Sequence, residues 1–190
     1  MAIGAQTART TALTLLLGLW ATVFAIAAEP LKGLDRPVDR TFVVDLAKLL
    51  TKDDSAKIKA VAGKLLEEKA TPIIVVTIES MAKHGGGGIA IEGFATRLFD
   101  QWEIGQAKLN GQDWNTGILL LVSKKDRKMR IELGRGWAHK EDEYCQKVVD
   151  EQILPRFKEG DFSGGILAGA NALEAMARGL ELPKPKPSQN

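Results

Sequence analysis

Cysteine and histidine are almost absent from this chain. Of 190 residues one is cysteine, Cys145, and two are histidine, His84 and His139. A single cysteine excludes an internal disulfide and every multi-cysteine zinc site. Two histidines leave no room for a histidine-rich metal centre. The residue six positions after Cys145 is Glu151, where a cysteine phosphatase needs arginine. Asp-x-Asp-x-Thr and Gly-x-Ser-x-Gly are also missing, which removes aspartyl-phosphate chemistry and the serine nucleophile elbow. Cys145 reads as a small apolar residue on a helix face. Charge of one sign is lacking too: 26 Lys and Arg face 24 Asp and Glu, a formal net +2. That balance excludes a nucleic-acid footprint and a polybasic membrane patch. Nucleic acid is not an expected partner.

Long apolar runs are confined to the amino terminus. Thr10 to Ala28 carries no charged side chain and centres on Leu15, Leu16, Leu17, Leu19 and Trp20. It closes on Ala25-Ile26-Ala27-Ala28, an A-x-A-like cleavage site. We expect residues 1–27 to be a signal peptide and the protein to be exported, to the periplasm or a lumen-like compartment. An uncleaved anchor, leaving the protein peripheral to the membrane, is the alternative. No later run approaches the roughly 20 apolar residues of a span, so no transmembrane span is expected in the mature chain. The expected organisation is a polar lead-in over 28–40, one domain over 41–182 and a flexible Pro-rich tail over 183–190.

Within the domain the periodicities are clear. Thr41 to Val44 suits a short strand. Thr51 offers an N-cap with Asp54 three residues on, and Ile58, Val61, Ala62, Leu65 and Leu66 then mark one helical stripe. Thr71-Pro72 breaks that helix. Ile73 to Ile78 is β-branched throughout and reads as a strand buried on both faces. Met81 to Gly88 reads as a flexible loop; its glycines lack the spacing and lysine of a phosphate loop. Ile91, Phe94, Ala95, Leu98 and Trp102 space a second helix, with Trp102 as core. Gly105 to Asn115 is polar and reads as a loop. Gly117 to Val122 is a second apolar strand, and Lys128 to Leu133 alternates, completing a hairpin. Tyr144 to Ile153 gives a third helix stopped near Pro155, and Ile166 to Met176 a fourth. Helices must cover both faces of so apolar a sheet. The expectation is an α/β fold, a three-layer α/β/α sandwich with a mixed sheet of about four strands.

Five segments in order resemble the TPM domain family, named for its thylakoid, phosphatase and membrane-complex repair members. They are Val44–Leu50, Trp102-Glu103-Ile104-Gly105, Asn115–Val122, Lys125–Gly136 and Ile153–Phe162. The resemblance spans about Asp35 to Leu182. It implies a soluble α/β/α domain outside the cytoplasm or in the thylakoid lumen. It also implies divalent-cation binding or acid phosphatase activity in some members, and repair or assembly of membrane complexes in others. One departure stands out. The family has glutamate soon after its Gly-x-Gly, where this chain has Ala138; Asp142 can match the aspartate that follows.

Ligands of open α/β sheets gather at the carboxyl ends of strands. Asp45 follows the first strand, Asp126 sits in the hairpin turn and Asp142 begins a helix. These three carboxylates are the candidate ligands of a hard cation, Ca²⁺ or Mg²⁺. Asp45 and Asp126 are the candidate catalytic pair, since a metal-activated water is the one remaining route to phosphate-ester hydrolysis. The plainer reading makes Asp45 and Asp142 helix caps and Asp126 a turn residue. Trp114 and Trp137 lie in polar stretches and are candidate partner-binding residues. Arg127 and Arg135 suit a phosphate or, more simply, surface ion pairs. Together these readings give a cation-binding accessory module for assembly or repair of a membrane protein complex. The alternative is a low-turnover, metal-assisted acid phosphatase acting on phosphate monoesters.

Overall fold

The computed structural model describes residues 29–38, 40–109, 112–137 and 140–185. Strand β1 (Val43–Asp45) leads to helix α1 (Lys52–Lys69), and β2 (Ile73–Ile78) to α2 (Ile91–Gln101). A small ribbon of β3 (Gln106–Leu109) and β4 (Gln112–Asn115) precedes β5 (Ile118–Ser123) and β6 (Lys128–Leu133). Helix α3 (Lys140–Lys147), a π-helical turn over Val148–Ile153, α4 (Leu154–Lys158) and α5 (Phe162–Ala177) complete the fold.

The main sheet runs β1-β2-β5-β6, with the first three strands parallel and β6 antiparallel to β5. Strands buried on both faces need no polar alternation, and β5 is buried along its whole length. Side chains of alternate parity feed two separate cores. Ile73, Val75, Ile118, Leu120 and Ile131 pack with Ile58, Leu65, Ile153, Ile166 and Leu173 from α1, the π turn and α5. Val76, Ile78, Leu119 and Leu121 pack with Phe94, Leu98 and Trp102 on and just beyond α2. Helices therefore cover both faces, and the expected α/β/α layering with a four-stranded mixed sheet is what forms.

The cap of α1 behaves as the sequence indicates, with one addition. Thr51 accepts the Asp54 N–H at 3.1 Å. The other half of the exchange passes through α5: the Thr51 N–H donates to Ser163 Oγ at 2.9 Å, and Ser163 donates to Asp54 Oδ2 at 2.7 Å. One buried hydroxyl thus joins the starts of two helices whose apolar faces pack together.

Five readings change. The lead-in is part of the domain: Leu31 and Leu34 are buried in the second core. Its backbone is held by Gln101, which accepts from the Leu31 N–H at 2.7 Å, and by the Trp102 indole, which donates to the Leu34 carbonyl at 2.8 Å. The polar stretch before Asn115 is the β3–β4 ribbon rather than a loop, and the sequence between its strands is Asn110-Gly111. The loop after β2 begins with a 3₁₀ turn, Met81–His84, closed by the Gly86 N–H on the Met81 carbonyl at 2.9 Å. Pro155 does not end the third helical stretch. It falls in the first turn of α4, where a missing N–H costs little, and the preceding π turn carries the chain into that helix. The start of the tail is fixed as well, with Gln152 donating to the Pro183 carbonyl at 2.6 Å.

Candidate functional site

Because β1, β2 and β5 are parallel and in register, their carboxyl ends share one edge of the sheet. Asp45 lies there opposite Thr77. Its carboxylate turns onto its own loop, where Oδ1 accepts the Leu49 N–H at 2.9 Å and Oδ2 the Leu50 N–H at 3.0 Å. Lys48 takes a left-handed backbone, φ 52°, within that loop. The Thr77 hydroxyl donates to Asp45 Oδ1 and accepts from the Ala47 N–H at 3.2 Å. Thr77 is fully buried in an otherwise aliphatic strand, and Asp45 is the reason its hydroxyl is satisfied. Asp45 is thus a loop organiser, placed well before the α1 cap at Thr51.

Asp126 makes the second tie at this edge. Its Oδ2 accepts from the Ser123 hydroxyl at 2.6 Å and from the Met81 N–H at 2.7 Å. Those bonds, Ser123 first and Met81 second, hold the carboxyl below the usual aspartate range against partial burial; Lys128 adds a smaller pull. The β5–β6 turn is thereby fastened to the 3₁₀ turn after β2. No hydrogen bond among the described residues involves Asp126 Oδ1.

Asp142 lies elsewhere. It lines a groove along β6 with Arg130, Glu132 and Cys145. Burial, with Asp142 adding its negative charge, pushes the Cys145 thiol up to about 12. Cys145 packs partly buried on the larger core, with its sulfur 3.8 Å from Met176 Sδ. A thiol so raised is inert at neutral pH, as the apolar reading expects.

Among the described residues, no group of three or more His, Cys, Asp or Glu side chains is placed to hold a metal ion. The three-aspartate set therefore does not fit a chelating centre, since Ca²⁺ takes roughly six to eight oxygen ligands. No hydrolytic step follows from it. His84, the histidine within the described residues, has its Nδ1 2.8 Å from the Lys32 carbonyl, so it fastens the lead-in rather than serving a carboxylate as acid–base partner. Ala138 and His139 lie outside the described residues.

The opposite edge explains the remaining motifs. The Asn115 carbonyl accepts the Gly136 N–H at 2.7 Å. A Cβ on Gly134 would come 2.1 Å from Asn115 Oδ1 and 2.4 Å from its carbonyl oxygen; one on Gly105 would come 2.2 Å from the Gly117 nitrogen. Segments around Gly105, Asn115–Gly117 and Gly134–Gly136 are thus one close-packed joint, and their glycines permit backbone to touch backbone. Trp137 follows this joint partly buried against the larger core, its indole nitrogen enclosed without an acceptor among the described residues. It is not the exposed ring expected. Trp114 lies in β4, paired with Ala107. Trp102 is core, as expected.

The missed residues are Thr77, Ser123 and Ser163. Each is a buried hydroxyl, and a hydroxyl inside an apolar run implies a polar partner.

A mixed four-stranded sheet, layered by helices and tied at one edge by two aspartates, defines the class: an α/β/α domain without an assembled triad among its described residues. A family model for the TPM domain matches residues 43–176, and the chain belongs to that family. Solved structures agree. The chain is similar to the N-terminal domain of a protein from P. gingivalis, at 25% identity and TM-score 0.61, over 75% of this chain and 85% of that one. It is similar to the N-terminal domain of the cg2496 protein from Corynebacterium glutamicum, at 14% identity and TM-score 0.56, over 87% and 95%. The BA42 protein from Bizionia argentinensis matches at 19% identity and TM-score 0.53, over 71% and 86%. No curated protein matches the chain.

Proposed function

We propose that this TPM-domain protein is an exported accessory module that binds a membrane protein complex during its assembly or repair. The observation that supports binding over catalysis is how the two edge carboxylates are used. Asp45 receives three donors and Asp126 two, all from the protein's own loops and strand ends. A carboxylate whose oxygens accept from the protein's own amides and hydroxyls has little basicity left to polarise water. Asp126 Oδ1 is the oxygen left for a divalent cation, and one such oxygen supports weak contact with a hydrated ion, not a closed cage. Export rests on the apolar segment ahead of Ala28. Among the described residues no helix is long and apolar enough to cross a membrane, so attachment would run through a partner or that segment.

Two measurements test the reading together. Crosslinking in envelope membranes should return one integral-membrane complex at constant stoichiometry, while a generic phosphate monoester at mildly acidic pH should not turn over. Metal-dependent turnover abolished by Asp45→Asn would overturn it in favour of the phosphatase.

A further inference from the structure

Next to the carboxylate edge lies a cleft of about 450 Å³, within the size range of small-ligand sites. Its floor is apolar and continues the larger core, on one side of the sheet. Val122 lies next to the end of β5, Leu154 and Phe157 project from α4, and Phe162 opens α5. The Phe157 and Phe162 rings lie 5.0 Å apart and tilted at 57°. Phe162 is 37% exposed, an unusual degree for a phenylalanine at the mouth of a cleft.

The rim is entirely basic. Lys124 and Arg127 come from the β5–β6 turn, Lys128 opens β6 and Lys158 ends α4, and no acidic side chain among the described residues lines the cleft. Arg127 was a candidate for a surface ion pair, yet none forms with a described residue; Lys128 and Lys158 likewise have none. The neighbouring acids are engaged elsewhere. Asp126 faces Ser123 and Met81, and Asp161 is paired with Arg156 at 2.9 Å while capping α5 through Gly164. Arg127 holds a left-handed backbone, φ 51°, at the tip of the turn that Asp126 fastens. Such a conformation is costly for arginine and persists because the turn is over-determined.

We propose that this cleft binds a single-chain amphiphile carrying a phosphate head, its tail on the Phe157–Phe162 floor and its head among the four cations. The apolar floor calls for a tail, because a free anion would leave it wet. Four cations without an ion pair among the described residues suit a doubly charged phosphate better than a singly charged carboxylate, and Arg127 supplies a fork for two of its oxygens. A concave site of this size takes one molecule rather than a bilayer. The assignment requires neither the cation nor the membrane-complex reading.

The test uses the purified full chain in the presence of a chelator, with dodecyl phosphate kept below its micelle concentration. Amide NMR shifts should map to Val122, Arg127, Phe157 and Phe162. Affinity should rise about twofold per methylene from octyl to dodecyl phosphate, as half-buried methylenes require. Dodecanoate, inorganic phosphate and dodecyltrimethylammonium should each bind at least about tenfold more weakly. Arg127→Glu and, separately, Lys158→Glu should each weaken dodecyl phosphate by about tenfold while the melting temperature holds. Equal binding by dodecanoate would overturn the phosphate head, and equal binding by inorganic phosphate the apolar floor. Unchanged affinity in Lys158→Glu, or shifts away from the cleft, would overturn the site itself.

Discussion

Removing the Asp126 carboxylate tests the idea that this residue fastens two loops. In Asp126→Ala the Met81 N–H and the Ser123 hydroxyl lose their acceptor at once. A hydrogen bond to a charged group contributes about 1.5–3 kcal/mol. Asp126 is half-exposed, so water compensates in part and the lower end applies. The expected loss is about 2–3 kcal/mol, or roughly 6–10 °C in Tm for a domain of this size. Asp126→Asn keeps an acceptor in place and should cost only about 1 kcal/mol at neutral pH. The pH dependence separates charge from shape. Because the folded carboxyl titrates below its unfolded value, its stabilisation is complete above the unfolded pKa, about 4, and disappears as pH falls through the folded value. Urea titrations of wild type and Asp126→Asn at neutral pH and at about pH 2.5 should therefore show a gap that closes in acid. A gap of the same size at both pH values, or none at neutral pH, would refute the argument.

Gly134→Ala should destabilise by about 2–3 kcal/mol in urea titration, because its Cβ meets Asn115 backbone as well as side chain. Gly93→Ala, exposed in the first turn of α2 with open space around it, should stabilise by up to about 0.5–1 kcal/mol. Native Cys145 should react with an aromatic disulfide reagent at about pH 8 more than ~100-fold more slowly than in urea, and equal rates would contradict its burial.

The layers were legible because their signals are long and periodic. Ile73–Ile78 and the apolar core of Gly117–Val122 allow no reading but buried strands, and Thr51 with Asp54 marks the start of α1. The β3–β4 ribbon was missed although Asn110-Gly111 is the dipeptide most favoured in two-residue hairpins; the polar residues around it masked the signal. Leu31 and Leu34 are two apolar residues among prolines and charges, so only the fold reveals the pocket that α2 offers them. Pro155 misled because its position relative to a π turn is not written in composition. For the candidate site, sequence located Asp45 and Asp126 at the correct sheet edge but not what they do there. A carboxylate that caps a loop and one that holds a cation occupy the same place in the chain. Only the direction of each oxygen distinguishes them.

Among the described residues, the order β1-β2-β5-β6 leaves two strands with an unpaired side. One, β1, is three residues long; the other, β6, interleaves Lys128, Arg130 and Glu132 with its apolar residues. Neither offers a flat, greasy rail on which a foreign strand could zip. The sheet is terminated by brevity on one flank and by charge on the other, so its apolar central strands are shielded from edge-to-edge pairing.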